Sequence, residues 1–418
     1  MPSHSALPRT AAVFAESTLA EVQSDWDSNA TEIYVIEPNV EGVSQTLLDS
    51  ANIVPRQTYK HRKIYGLKSD STFTCSLYLH AKGANAAEAA AATAAIQHTV
   101  IKAAVGGLDL GYAEGLAGGT ASAPELESDP GIVGGDFGFF YDTSAGTGEF
   151  RRVESISTVT LTLLEDLSFT PDAGGADVMH AVVDVYPNED GIENHADANH
   201  VTLGWKVQGR DTEDVYEVRG CKPTMGSIAI TAGEPVMLEL AHKVADWVST
   251  PSATTWTSTP SGEAPNVPGI GTTCSFRLGD FGGALAETAV RGTITFTPGI
   301  EHEQDKGPNG TEAIHGYSGT IGDATVEIVV EYDADYDDEF DAKTLKHAMV
   351  QIGNTPTTAW GMYFPRLEYA AKPVRINEGG LVSQRLTFRC LEDTASVSGL
   401  TGDNIDKRRA PWHLLFCA

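Results

Sequence analysis

Cysteine is scarce here and badly placed for cross-linking. The five residues Cys75, Cys221, Cys274, Cys390 and Cys417 are odd in number and widely spaced, and no CxxC pair occurs. That excludes a disulfide framework and a cysteine-rich zinc site. Cys75 alternates with Phe73 and Leu77, and Cys390 with Leu386 and Phe388, so both are expected to be small buried hydrophobes. Basic residues are also few: 28 Lys and Arg stand against 57 Asp and Glu, a formal charge of -29. Such a chain does not wrap nucleic acid, because phosphate contacts need Lys and Arg. No apolar run reaches the roughly 18 residues of a membrane-spanning helix. The opening Met1-Pro2-Ser3-His4-Ser5-Ala6 lacks a basic head followed by an apolar stretch, so no signal peptide is expected, and assembly in a cytoplasm is. GxSxG, HExxH, P-loop and dinucleotide fingerprints are all missing. The pairs Gly106-Gly107 and Gly118-Gly119 lack the strand and spacing of a phosphate loop. We therefore expect no enzyme activity, no cofactor and no bound metal.

What remains is a folded composition. The chain has 418 residues, 41% apolar and 20% charged, enough for two or three domains. The acidity has two readings. It keeps a secreted or high-salt protein soluble, or it lines a surface that DNA must pass without sticking.

The most informative positive feature is internal similarity. At an offset of 146 residues, Ile230–His242 lines up with Ile376–Phe388 without a gap: Ile230/Ile376, Gly233/Gly379, Val236/Val382 and Leu240/Leu386 coincide. Upstream, Gly66–Tyr78 runs through an Ala-rich segment to His98, and Gly319–Tyr332 runs through an acidic segment to His347. The two pairs appear in the same order. A sheet-plus-helix unit used twice in one chain suits a building block of a symmetric assembly.

Periodicity sketches the elements. β-branched alternation predicts strands at 31–37, 71–79, 151–170, 178–186, 201–208, 215–218, 227–248, 272–278, 291–296, 325–332, 362–367 and 381–391. Residues 60–65 and 71–79 read as a hairpin around Gly66–Asp70. Alanine density predicts a helix over Asn85–Ala104, stopped by Gly106-Gly107. Leu345, Met349 and Ile352 predict a second, short helix over Asp341–Ile352. Residues 107–150, rich in Gly, Ala, Ser and Asp, read as a long loop. Pro187–Gly191 reads as a turn and Glu301–Ile314 as a polar loop.

Few side chains stand out as chemistry. Asp333, Asp335 and Asp337 begin like a calcium loop, but Asp338 stands where glycine is needed and Thr344 where Glu is needed. A solvated helix entry, with acids favoured by the dipole, is the expected role. His195 and His200 straddle Asp197, and His302 and His315 lie near Glu301 and Glu303, without a closed four-ligand set. On the strand 325–332, Val326, Ile328, Val330 and Tyr332 make an apolar face, and Glu327 and Glu331 stand on the other. That outer face is solvated in most sheets; in a ring-shaped assembly it lines the bore. Arg385 and Arg389 on the closing strand run against a uniformly acidic bore.

The blocks Gly66–Gly107 and Gly319–Asn354, with the closing strands Ser227–Val248 and Pro373–Asp393, resemble the tail tube protein of long-tailed bacteriophages and archaeal tailed viruses. The resemblance covers about half the chain and is one of style, with no diagnostic short motif. It implies a mainly β (β-rich α+β) fold of two related antiparallel β-sandwich or barrel domains, each with a flanking helix. It implies trimers that close pseudo-hexameric rings, rings that stack into a tube, and a negatively charged lumen conducting double-stranded DNA without specific binding. Glu327 and Glu331 become possible lumen-facing acids. The implied partners are further copies of the chain and other tail proteins (terminator, tape measure, distal tail); the implied place is the virion tail, with no membrane contact. The expected organisation is an N-terminal arm (1–30), a first tube-like domain (31–247) with a large insertion (about 108–214), a Ser/Thr/Pro linker (248–271), a second tube-like domain (272–393) and a C-terminal arm (394–418). The insertion departs from the simple pattern and reads as a stacking hairpin or a separate decoration domain. The alternative is a β-sandwich surface, adhesion or carbohydrate-binding protein, although Trp247, Trp256 and Trp360 are isolated and form no aromatic row.

Overall fold

The computed structural model describes residues 9–17, 19, 30–41, 45–48, 64–68, 71–81, 95–172, 176–193, 199–208, 215–250, 267–269, 273–306, 314–378, 381–394 and 400–418. The fold is mainly β. The chain opens with β1 (Arg9–Ala15), β2 (Thr31–Glu41), the pair β3 (Gln45–Leu48) and β4 (Ile64–Lys68), β5 (Thr72–Tyr78) and helix α1 (Ile96–Val105). Then come β6 (Gly106–Leu110), β7 (Glu114–Gly119), β8 (Pro124–Leu126), β9 (Phe137–Asp142), β10 (Thr147–Ser157), β11 (Thr160–Leu163), β12 (Val178–His180), β13 (Val182–Pro187) and helix α2 (Glu189–Glu193). Strands β14 (Leu203–Gln208), β15 (Val215–Met225), β16 (Ile228–Ile230), β17 (Met237–Lys243) and β18 (Asp246–Thr250) follow. The second half holds β19 (Cys274–Asp280), β20 (Ala286–Glu287), β21 (Ile294–Thr297), the hairpin β22 (Ile300–Lys306) and β23 (Ile314–Ile321), and β24 (Thr325–Glu331). It ends with helix α3 (Asp335–Ala342), β25 (Lys346–Ile352), β26 (Trp360–Glu378), β27 (Leu381–Cys390), helix α4 (Asp403–Arg409) and β28 (His413–Cys417).

Two rings of strands share one connectivity. In the first, pairing runs β1-β2-β5-β17-β15-β14 and returns to β1. In the second, it runs β19-β20 on one side and β21-β24-β27-β26-β25-β19 on the other. The long strand β2 of the first ring corresponds to the broken pair β20 and β21 of the second. Between the second and third ring strands each unit puts out a hairpin, β3–β4 or β22–β23. After the third strand each has a helix, α1 or α3.

Registers match as well as order. Cys75 faces Leu240 in the first ring, and Ile328 faces Leu386 in the second. Lys222 faces Lys243, and Glu368 faces Arg389. Gln45 faces Lys68, and Ile300 faces Ile321. Even an irregularity recurs: the pairing slips between Leu203/Cys221 and Trp205/Val218, and again between Lys346/Leu367 and Ala348/Phe364. The sequence offsets, Leu240 to Leu386 and Cys75 to Ile328, are those at which the sequence resembles itself. A slip of one residue would turn every core side chain to solvent, so shared register means shared inward faces. Phe73, Leu77, Leu238 and Leu240 point inward in one unit, and Val326, Val330, Leu386 and Phe388 in the other. Both sets belong to one continuous apolar cluster.

The insertion is a third structure. Strands β10-β11-β8-β7-β12-β9 form a closed barrel around Leu116, Leu126, Phe140, Val153, Leu161 and Met179. Closure removes sheet edges, which a stacking hairpin would leave open. Residues 107–150, expected as a long loop, thus supply five of the strands, β6 to β10; small residues there pack tightly instead of marking disorder. At the end of α1, Gly106 turns the chain with φ +87, and a Cβ there would lie 2.7 Å from the Asn188 carbonyl oxygen.

Other expectations need correction. The first ring begins before residue 31: β1 is its closing strand, paired with β2 and β14, and its Ala11, Ala12, Val13 and Phe14 are buried, so this stretch is part of the ring and not an arm. The insertion ends before Leu203, because β14 is the counterpart of β25. The C-terminal residues are not an arm either. β28 pairs with β13 and β26, and Trp412, Leu414 and Phe416 are fully buried. The helix expected over Asp341–Ile352 lies earlier, at Asp335–Ala342, and Lys346–Ile352 is a strand buried along its whole length. A strand buried on both faces shows no alternation, which is why it resembled a helix. β4 pairs with β3, not with β5. Of the expected loop Glu301–Ile314, Glu301–Lys306 lies in β22 and Ile314 opens β23, with 307–313 outside the described residues; the segment 151–170 holds part of β10 and all of β11, and Pro187–Gly191 leads into α2. The expectations for residues 85–94 of the helix, for 251–266 and 270–271 of the linker, for 60–63 of the hairpin, and for His195 and Asp197 fall outside the described residues.

Candidate functional site

The outer face of β24 and β27 carries the two carboxylates singled out by sequence. Glu327 lies 3.4 Å from the Arg385 guanidinium, and Glu331 lies 2.9 Å from that of Arg291. Asp323 pairs with Arg389 at 2.5 Å. All are substantially exposed, so each pair contributes about 0–1 kcal/mol and little net field. The corresponding face of the first unit has Thr74 and Tyr78 on β5, and Glu239 and Lys243 on β17. Alternation on strands made this face legible; the pairing was not, because Arg291 comes from a different part of the chain.

A second region joins the two units. The β22–β23 hairpin of the second unit lies across β15, β17 and the end of α1 in the first. Tyr317 donates its hydroxyl to the Gly220 carbonyl and reaches that of Lys243 at 3.2 Å. The Gln304 amide donates to the Val244 carbonyl at 3.0 Å. His302 Nε2 donates to the Ala104 carbonyl at 2.8 Å. Beneath it, Lys222 is fully buried, with Nζ 3.2 Å from the Val201 carbonyl oxygen and 3.5 Å from His200 Nδ1. Burial, together with the Lys102 charge, holds Lys222 down to about 7. Burial and the Lys222 charge hold His302 down to about 3. His200 and His302, members of the two separate histidine pairs weighed from sequence, are thus packing groups at a seam.

The inserted barrel docks on the second unit through buried charge. Glu149 accepts from Arg151 at 2.6 Å, from Arg277 on β19 at 3.2 Å, and from the Ser168 amide at 2.5 Å. Nearby, Glu165 lies 3.8 Å from His347. Burial raises Glu165 to about 7 against the pull of Arg151 and Arg277. Burial likewise lowers His347 to about 4, so the imidazole is neutral near pH 7 and the carboxyl takes up a proton more readily than a free one. Arg152 pairs with Asp393 at 2.7 Å. Lys407 binds Asp109 at 2.8 Å and also Asp136. Burial disfavours the charged lysine, but the two carboxylates outweigh it and raise its pKa. These residues lie far apart in sequence, and no motif announced them.

The acidic run Asp333–Asp341 leads into α3 and makes up all of it but Ala342, with Asp335, Asp337 and Asp338 in the first turn. Among the described residues, no three His, Cys, Asp or Glu side chains stand close enough to hold a metal ion. Cys75, Cys221, Cys390 and Cys417 are buried and Cys274 is exposed, all five as free thiols. No helix is long and apolar enough to cross a membrane among the described residues. In sequence comparison, no protein-family model and no curated protein matches this chain.

Proposed function

We propose that this chain is a structural subunit of a tail tube. Three chains, each contributing two six-stranded units, close a pseudo-hexameric ring, and rings stack around a bore that conducts double-stranded DNA. The observation that carries this reading is the recurrence of one strand order and one register in two units of a single chain. Two equivalent units in one chain suit a ring of even-numbered symmetry. The charge of -29 supports it too: phosphates and carboxylates repel within a Debye length, about 8 Å at physiological salt. In this proposal the chain is a virion protein assembled in a host cytoplasm, with other tail proteins as partners and no catalytic role. Glu327 and Glu331 remain candidates for the bore, as members of ion pairs; the repulsion then rests on other carboxylates. The inserted barrel, with its own core, suits decoration of the outer surface.

Sedimentation velocity and negative-stain microscopy test the proposal on the purified chain. Rings or filaments with a central hole are expected as concentration rises. A compact monomer at every concentration, or assemblies without a bore, would overturn it.

A further inference from the structure

One cation is enclosed by two carboxylates where the inserted barrel meets the C-terminal segment. Lys407 on α4 has a side chain only 2% exposed. Its Nζ meets Oδ1 of Asp136 and lies 2.8 Å from Oδ2 of Asp109. Asp136 stands just before β9, and Asp109 lies in β6. Both partners of the closest contact are held from behind. The Asp136 amide donates to the Val133 carbonyl, and the Asp136 carbonyl accepts from the Val153 amide on β10. Oδ2 of Asp136, the carboxyl oxygen turned away from the lysine, accepts from the Val133 amide at 2.8 Å. On the other side, Arg152 donates to the Arg408 carbonyl at 2.8 Å and the Asp393 amide to that of Arg409 at 3.0 Å. Near-attack arrangements hold reacting atoms about 3–3.5 Å apart, and an amine hydrogen-bonded to one carboxyl oxygen is already close to the carboxyl carbon.

We propose that Lys407 and Asp136 join after folding as an isopeptide bond between Nζ and Cγ, with Asp109 as the base. The ion pair is the starting state. Lys407 passes one proton to Oδ1 of Asp136, which leaves a neutral amine and a carboxylic acid. Burial favours that neutral pair, since it pushes the Asp136 carboxyl above its ordinary range. Nζ then attacks Cγ, and the carbonyl electron pair moves onto Oδ2, where the Val133 amide already donates. Asp109 takes a proton from Nζ and hands it to the departing Oδ1 hydroxyl. One C–N bond forms, one C–O bond breaks, one water leaves, and Asp109 ends as the carboxylate it began as. No redox partner and no co-reactant enters. The water has an exit past Asp109, whose side chain is 35% exposed.

Between free molecules in water such a condensation loses to hydrolysis. Here the fold supplies an effective concentration on the order of 10⁵ M or more, and the released water departs to bulk. The two carboxylates raise the lysine pKa, so the neutral amine is scarce and the step is slow, but each molecule needs it only once. A second lysine gives an internal comparison. Lys346 also meets two carboxylates, Asp280 at 2.7 Å and Glu339 at 2.5 Å, but their side chains are 68% and 24% exposed. Water reaches that cluster, and it stays an ion pair. The link at Lys407 joins residues 271 apart in sequence and ties the barrel to the C-terminal segment in a loop that unfolding cannot open. The inference goes beyond the tube proposal and does not rest on it.

Mass spectrometry of the full-length chain, kept folded at neutral pH and then denatured, tests it. The intact mass should fall short of the sequence mass by one water. Protease digestion should release a branched peptide that joins the Asp136 segment to Lys407, with Lys346 unmodified. Lys407→Arg keeps the positive charge and should restore the full mass. Asp109→Asn should slow the loss of water by about 100-fold or more, the usual share of general acid–base catalysis. A wild-type chain at full mass would overturn the link, and that reading depends on no variant folding. A water lost without the branched peptide would overturn it too: a succinimide at an aspartate gives that result, and its deficit survives Lys407→Arg. An unchanged rate in Asp109→Asn would remove Asp109 from the reaction.

Discussion

Replacing Glu149 with alanine tests how the inserted barrel is fastened. The carboxylate is buried and faces two guanidiniums, Arg151 with its side chain 6% exposed and Arg277 with 17%. Removing one member of a buried charge set typically costs about 3–5 kcal/mol. The lower end applies here, because Arg151 still donates to the carbonyls of Phe150 and Asp166, and Arg277 can reach water. A loss of about 3 kcal/mol corresponds to a Tm drop of about 6–12 °C for a cooperative unit of 150–250 residues. Calorimetry on Glu149→Ala, Arg277→Met and the double variant is the assay. The double variant should recover part of the loss, since the stranded charge is gone, with a coupling of about 1–3 kcal/mol. A Tm shift under about 2 °C, or strict additivity, would refute a shared charge node at this seam.

Other perturbations follow from the same contacts. His242, His302 and His347 are held by burial at about 4, 3 and 4, below the ordinary 6.5, so the folded chain binds fewer protons; stability should be full above pH 6.5 and fall toward pH 4. Glu165, raised to about 7, has the opposite sign between pH 4.5 and 7 and offsets about one histidine, so urea midpoints should still be lower at pH 5 than at pH 7. Lys222→Met should be neutral or stabilising at pH 7, and its advantage over the wild type should shrink as pH rises from 7 toward 10.5, where the lysine of the unfolded chain also loses its proton and folding no longer has to expel one. Phe416→Ala, in the fully buried last strand, should cost about 3–5 kcal/mol, read as a lowered denaturant midpoint. Glu327→Lys with Glu331→Lys should change stability by less than about 2 kcal/mol; genome delivery by particles carrying both changes would have to fall for a lumenal placement to hold.

The sequence by itself determined the mainly β class, the inward faces of β5, β17, β24 and β27, and the offsets at which the chain resembles itself. These are legible because a half-buried strand must alternate, and alternation survives in a string of letters. The acid-rich entry of α3 and the glycine stop after α1 were legible for equally local reasons. Only the tertiary structure decided where β1, β14, β25 and β28 belong. Those strands are short or buried on both sides, and some of their partners lie some two hundred residues or more away, as Val182 does from Cys417, so no local pattern marks them. The barrel within the insertion escaped notice because its glycines serve close packing, not looseness. The charged seams around Glu149, Lys222 and Lys407 were invisible for a further reason: a buried charge is defined by what surrounds it, and its surroundings come together only when the chain has folded.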